Sequence, residues 1–180
     1  FCYFKTSTQI AIIFSGIFSL LYPFVIRNIP FAKILVIALV WTISTMLLLV
    51  LENNMLISQN LILHLSARFL FVFAVTIPFD IRDLKFDEKK MKTIPIVFGE
   101  GKAKLIGVMA LFFAELIAIV QMLYFDMEFR NLIALICVLF LSAILIIKSS
   151  QDKTVMYFSF WVESLSIYFY LFLILSTLLL

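Results

Sequence analysis

Long unbroken runs of apolar residues, separated by short polar breaks, set the pattern of this chain and predict its elements. Windows long enough to cross a bilayer, about 20 residues each, fall at 8–26, 33–51, 60–79, 103–125, 130–147 and 155–178. The runs lack the strict alternation of an outer-membrane barrel strand. In hydrocarbon a backbone must satisfy its own hydrogen bonds, so each window reads as a helix. The pattern therefore predicts an all-α fold, a polytopic membrane bundle of six transmembrane helices in a single domain over residues 1–180. Punctuation falls between the runs: Pro23 and Pro30 bracket the first long connection, and Pro95, Gly99 and Gly101 precede the fourth helix. Pro78 lies inside the third window, two residues before Asp80. There a proline either bends the last turns toward a cavity or marks an ordinary end of a span.

Composition agrees with the windows. Hydrophobic residues make up 64% of the chain and charged residues 14%, the latter about half the share usual in soluble domains, and the mean hydropathy is +1.17. Cys2 and Cys137 are the only cysteines, which excludes a disulfide framework and a Cys-type zinc site. Nothing in the sequence suggests a nucleic-acid partner; the partner that composition implies is the lipid bilayer.

The net charge of +3 is small, yet the cations are unevenly placed. Arg27 and Lys33 follow the first window, Arg82, Lys85, Lys89, Lys90, Lys92, Lys102 and Lys104 lie between the third and fourth, and Lys148 and Lys153 between the fifth and sixth. The alternate connections carry only Lys5 and Arg130. An excess of Lys and Arg marks the cytoplasmic side, which places the basic connections there, both chain ends outside, and the protein in a membrane of the bacterial inner type. Residues 1–7 lack a signal-peptide pattern and the sequence starts at Phe1. The expectation is the C-terminal part of a longer membrane protein.

Three aspartates, Asp80, Asp83 and Asp87, sit where the third window gives way to lysines. On a helix of 3.6 residues per turn, positions i, i+3 and i+7 share one face, so the carboxylates can converge on shared cations. Mg2+ takes hard oxygen ligands and is commonly held by one or two carboxylates together with substrate phosphates. Arg82, Lys85, Lys89, Lys90 and Lys92 can add phosphate contacts. The alternative is that the acids are solvated boundary charges and the lysines fix orientation or touch anionic lipid. Gly99-Glu100-Gly101-Lys102 lacks the spacing of a phosphate loop.

Two stretches carry a resemblance. The segment from Asp80 to Asp87, followed by Lys89 and by Thr93, Ile94 and Pro95 ahead of a glycine-containing helix start, resembles the second aspartate-rich motif of the UbiA superfamily of intramembrane prenyltransferases. The stretch from Tyr22 to Arg27, with Pro30 and Lys33 and an apolar helix containing Trp41 and Thr42, is similar to that family's fourth helix, cytoplasmic turn and start of the fifth. Ile26 stands where the family often has Lys. The resemblance implies helices four to nine of a nine-helix bundle, with the family's first aspartate-rich motif on a helix outside this sequence and the present piece inactive by itself. It implies a Mg2+-dependent enzyme that transfers an isoprenyl group from an isoprenyl diphosphate to a hydrophobic or aromatic acceptor, as in quinone, haem or lipid biosynthesis. Asp80, Asp83 and Asp87 would then be the catalytic and metal-binding residues, and Arg27, Lys33, Arg82 and Lys89 the diphosphate contacts. The form of the motif looks closer to members acting on naphthoate-type or lipid acceptors than on hydroxybenzoate.

Other polar residues lie within the windows. His64 and Arg68 are four apart and share a helical face, and Glu115 and Glu163 are candidate acidic partners for Arg68. Two other classes compete with a transferase. A transporter predicts acids deep in several broken helices, of which only Glu115 and Glu163 are present. A phosphotransferase of the CDP-alcohol type needs glycines among its aspartates, and residues 17–98 contain none. A purely structural membrane subunit is the third possibility.

Overall fold

The structure, a computed structural model, describes residues 3–24, 29–85 and 92–179. Among the described residues there is no strand, and the elements run α1 (Thr6–Leu21), α2 (Ala32–Thr42), a π-helical turn (Ile43–Leu47), α3 (Leu48–Glu52), α4 (Gln59–Asp83), α5 (Ile94–Phe98), α6 (Glu100–Tyr124), α7 (Phe129–Lys148), a second π-helical turn (Tyr157–Val162) and α8 (Leu165–Leu179). Among the described residues five helical stretches are long and apolar enough to cross a membrane: Ala32–Glu52, Gln59–Asp83, Glu100–Tyr124, Phe129–Lys148 and Tyr157–Ser176. The first expected window is helical too, but α1 has 16 residues and ends at Leu21. Tyr22 keeps helical geometry and donates its N–H to the Phe18 carbonyl, and the regular helix ends there, one residue before Pro23.

Local chemistry sets the other boundaries. The Ser58 hydroxyl accepts the Leu61 N–H at 3.2 Å and starts α4, as an N-cap does. Pro95 stands in the first turn of α5, where its missing N–H costs nothing. Gly99 separates α5 from α6 at φ 82°, a backbone state that glycine adopts without strain. Pro78 does not end the helix: α4 runs through it to Asp83.

Successive long helices alternate in direction, and named contacts identify the two ends of the bundle. At one end Lys5 N–H and the Thr8 hydroxyl donate to Glu52 Oε2 at 3.2 and 2.8 Å, and Gln121 Nε2 donates to Asn60 Oδ1 at 2.8 Å. At the other, Phe31 N–H donates to the Lys92 carbonyl at 3.0 Å and Lys85 pairs with Asp152 at 3.0 Å. The connections that carry most of the basic residues therefore gather at one end.

Close packing of α6 holds the centre together. Its buried face carries Leu111, Gln121 and a stripe of small residues, Ala103, Gly107, Ala110, Ala114 and Ala118, which lets neighbouring backbones approach. Gly107 marks the tightest approach: a Cβ there would lie 3.1 Å from Ile77 of α4 and 3.3 Å from Ile146 of α7. Around this seam a main core joins Phe71, Ala74, Val138, Ile146, Phe158 and Leu165. A smaller cluster of Ile34, Ile77, Ile81, Ile94 and Ala103 lies beneath the basic end.

Candidate functional site

Asp80 and Asp83 occupy the last turn of α4, and the smaller isoleucine cluster forms the floor under them. Opposite stands Lys33, in the first turn of α2, which begins immediately after Phe31. Phe31 has left-handed backbone geometry at φ 60°; its N–H bond to Lys92 and its ring stacked on Phe98 at 5.9 Å fix the entry of α2 against the segment leading into α5. That entry aims Lys33 across the gap. Its Nζ lies 2.7 Å from Asp80 Oδ1 and 3.8 Å from Asp83 Oδ2.

The two carboxylates differ in their surroundings. Asp80 is 1% exposed and is held in an ion pair inside the bundle, whereas Asp83 is 28% exposed and faces outward. Asp83 also accepts from Arg82 Nε at 2.8 Å. The Arg82 guanidinium lies 5.3 Å from the Phe79 ring centre and 5.7 Å from that of Phe158, so two aromatic faces support the cation. The Thr93 hydroxyl is buried close to the same end of the chain's fold and has no hydrogen-bond partner among the described residues.

Of the residues singled out in the sequence, the structure brings together Lys33, Asp80, Arg82 and Asp83. Arg27, Asp87 and Lys89 lie outside the described residues. Among the described residues no three His, Cys, Asp or Glu side chains form a group able to hold a metal ion. Asp80 and Asp83 alone supply hard oxygen donors of the type Mg2+ accepts from one or two carboxylates, with substrate oxygens and water completing the shell. The pair fits such an ion, and Asp83 is the more accessible ligand. Lys33, paired with Asp80, would compete with a cation for that carboxylate. The aromatic support of Arg82 was not expected from sequence, since Phe158 lies far along the chain and nothing marks it among the 21 phenylalanines.

Arg68 corrects one expectation. Neither Glu115 nor Glu163 pairs with it; its Nε donates to the Thr45 hydroxyl at 3.4 Å and its guanidinium lies 5.7 Å from the Phe71 ring centre. Rotation of α6 explains part of this, because the face toward α4 is the small-residue stripe, and Glu115 follows Ala114 off that stripe. Arg68 instead borders a cavity of about 610 Å3 that does not adjoin Asp80 or Asp83.

Comparison of the chain with protein-family models, with curated proteins and with solved structures finds no match.

Proposed function

We propose that this chain is the diphosphate-binding part of an intramembrane prenyltransferase of the UbiA type, carrying helices four to nine of that fold, with the acidic end cytoplasmic. The observation that carries the proposal is the convergence of Lys33 with Asp80 and Asp83 from two helices at the basic end of an apolar bundle. Six crossings, including α1, belong to this reading, as does an isoprenyl diphosphate as donor.

The chain's own residues divide the work. Asp83, partly exposed, offers a carboxylate to a cation that arrives with the substrate, and Asp80 holds Lys33 in position until then. Lys33 and Arg82 contribute positive charge to the phosphate oxygens. Phe79 and Phe158 shield Arg82 from water on its inner side and keep its guanidinium oriented. Mg2+, when bound, supplies further positive charge to the departing diphosphate. The allylic C–O bond breaks with its electron pair leaving on the diphosphate, and an aromatic or lipid acceptor attacks the allylic carbon and gives up its proton to the released diphosphate or to water, within the apolar surroundings that a membrane bundle provides. In the family this site is completed by a motif on an earlier helix.

A structural role draws on a specific observation of its own. The Lys33–Asp80 pair is buried and already neutralised, which suits a clamp between α2 and α4 as well as a substrate site.

One assay separates the two. Prenyl transfer by the full-length protein in detergent is followed with radiolabelled prenyl diphosphates and a panel of aromatic and lipid acceptors, with and without Mg2+. For the enzyme, product is Mg2+-dependent and falls by roughly a hundredfold or more in Asp83→Asn, the scale of losing one preorganised electrostatic contact. No product with any acceptor, together with no Mg2+-dependent diphosphate binding, leaves the structural clamp.

A further inference from the structure

We propose that the cavity around Arg68 is a binding site for an anionic amphiphile, with Arg68 holding its carboxylate or phosphate head. The cavity measures about 610 Å3, within the 300–1,000 Å3 typical of small-molecule sites. Phe71, Val138, Leu139 and Phe169 give it apolar walls, while Asn60 and Asn131, near the starts of α4 and α7, frame a polar mouth. Asn60 to Arg68 is eight residues along α4, or about 12 Å at 1.5 Å per residue. Arg68 therefore stands about two turns in from the start of α4, and its side chain is partly buried.

Among the described residues no anion pairs with Arg68. Its one hydrogen bond goes from Nε to Thr45, and its terminal nitrogens make none among the described residues. Two acids line the cavity at its mouth: Glu128, which pairs with Arg130, and Asp126, two residues beyond the end of α6, which makes no ion pair with Arg68 among the described residues. An arginine within an apolar span is costly unless something anionic meets it. Its planar fork suits carboxylate or phosphate.

The side chain is also held ready. Thr45 lies in the π-helical turn Ile43–Leu47, a kind of local widening frequent at functional sites. Its hydroxyl donates to the Trp41 carbonyl at 2.7 Å, which leaves the oxygen to accept from Arg68. The apolar walls then suit a hydrocarbon or ring body on the ligand. Arg68 and Asp80 are twelve residues apart on α4, about 18 Å, so this site is separate from the carboxylates and does not rest on the transferase reading.

The test is equilibrium binding of radiolabelled oleate, lysophosphatidate and oleyl alcohol to the purified protein in nanodiscs, for wild type, Arg68→Gln, Arg68→Lys and Asp83→Asn. The proposal expects saturable binding of at least one acid, at least tenfold tighter than the alcohol; whichever acid is preferred identifies the head. Arg68→Gln abolishes that preference, Arg68→Lys retains part of it, and Asp83→Asn leaves it unchanged. Equal affinity for acids and alcohol in the wild type, or an undiminished preference in Arg68→Gln, overturns the proposal, as does saturable binding of neither acid. Should Arg68→Gln not fold, the acid-to-alcohol ratio of the wild type and its reduction in Thr45→Val decide the matter.

Discussion

A buried carboxylate is tolerated only with compensation, and at Asp80 the compensation is Lys33 at 2.7 Å. Removing one member of a buried ion pair costs more than removing both, because the survivor is left charged in a poor solvent. Lys33→Ala is therefore expected to destabilise the protein by about 3 kcal/mol, with Lys33 only 13% exposed and Asp80 1%. The double change Lys33→Met with Asp80→Asn is expected to recover most of that loss. Apparent melting temperatures in detergent check it: a double variant no more stable than Lys33→Ala alone would show that the pair does not hold α2 to α4. At this scale the grouping of Asp80, Arg82 and Asp83 was legible in the sequence from charge at a span boundary and from helical spacing, whereas Lys33 came to it only through the resemblance. Which carboxylate is buried was not, because Asp80 and Asp83 differ only in the neighbours that folding supplies. The partner of Arg68 was misjudged for the same reason: helix order gives the neighbours, whereas rotation of α6 about its axis decides which side chains meet.

At the level of elements, the seam between α4, α6 and α7 depends on what α6 lacks. Ala103, Gly107, Ala110, Ala114 and Ala118 leave room for the flanking backbones, and the Cβ position at Gly107 is already 3.1 Å from Ile77. Gly107→Leu is expected to push the helices apart and cost about 1–3 kcal/mol, the usual scale of overpacking, whereas Gly16→Leu, where no atom lies within 4 Å of the added Cβ, costs little. Thermal unfolding of the two variants side by side checks this, and equal losses would mean that α6 does not pack closely through Gly107. The long helices were legible from apolar run length alone, to within a few residues at most ends. Both π-helical turns were not, since an extra residue in a helical turn leaves apolar periodicity almost unchanged. The early end of α1 at Leu21 was not legible either, because the apolar run continues past it.

Across the whole molecule, outward-facing apolar side chains such as Leu20, Leu49, Leu123, Phe140 and Tyr170 clothe the helices on many sides, a surface suited to lipid rather than water. The bundle's ends differ in charge instead. Connections with Lys92, Lys148 and Lys153 meet the acidic site at one end, and the connection after α3 offers only polar and apolar residues at the other. An excess of basic residues directs an end to the cytoplasm, so the fold makes a prediction about sidedness that is independent of any chemistry. Met55, 59% exposed, and Val155, 72% exposed, lie in connections at opposite ends. With Cys2 and Cys137 replaced by serine, a single cysteine at position 155 should react with a membrane-impermeant thiol reagent only in inverted vesicles, and one at position 55 only in intact cells. Labelling of both from the same side would require an odd number of crossings to be lost between α3 and the second π-helical turn, and would undo the antiparallel order that brings Lys33 to Asp80. The reverse pattern would keep that order and turn the acidic site outward, which would contradict the proposed reading of a cytoplasmic acidic end.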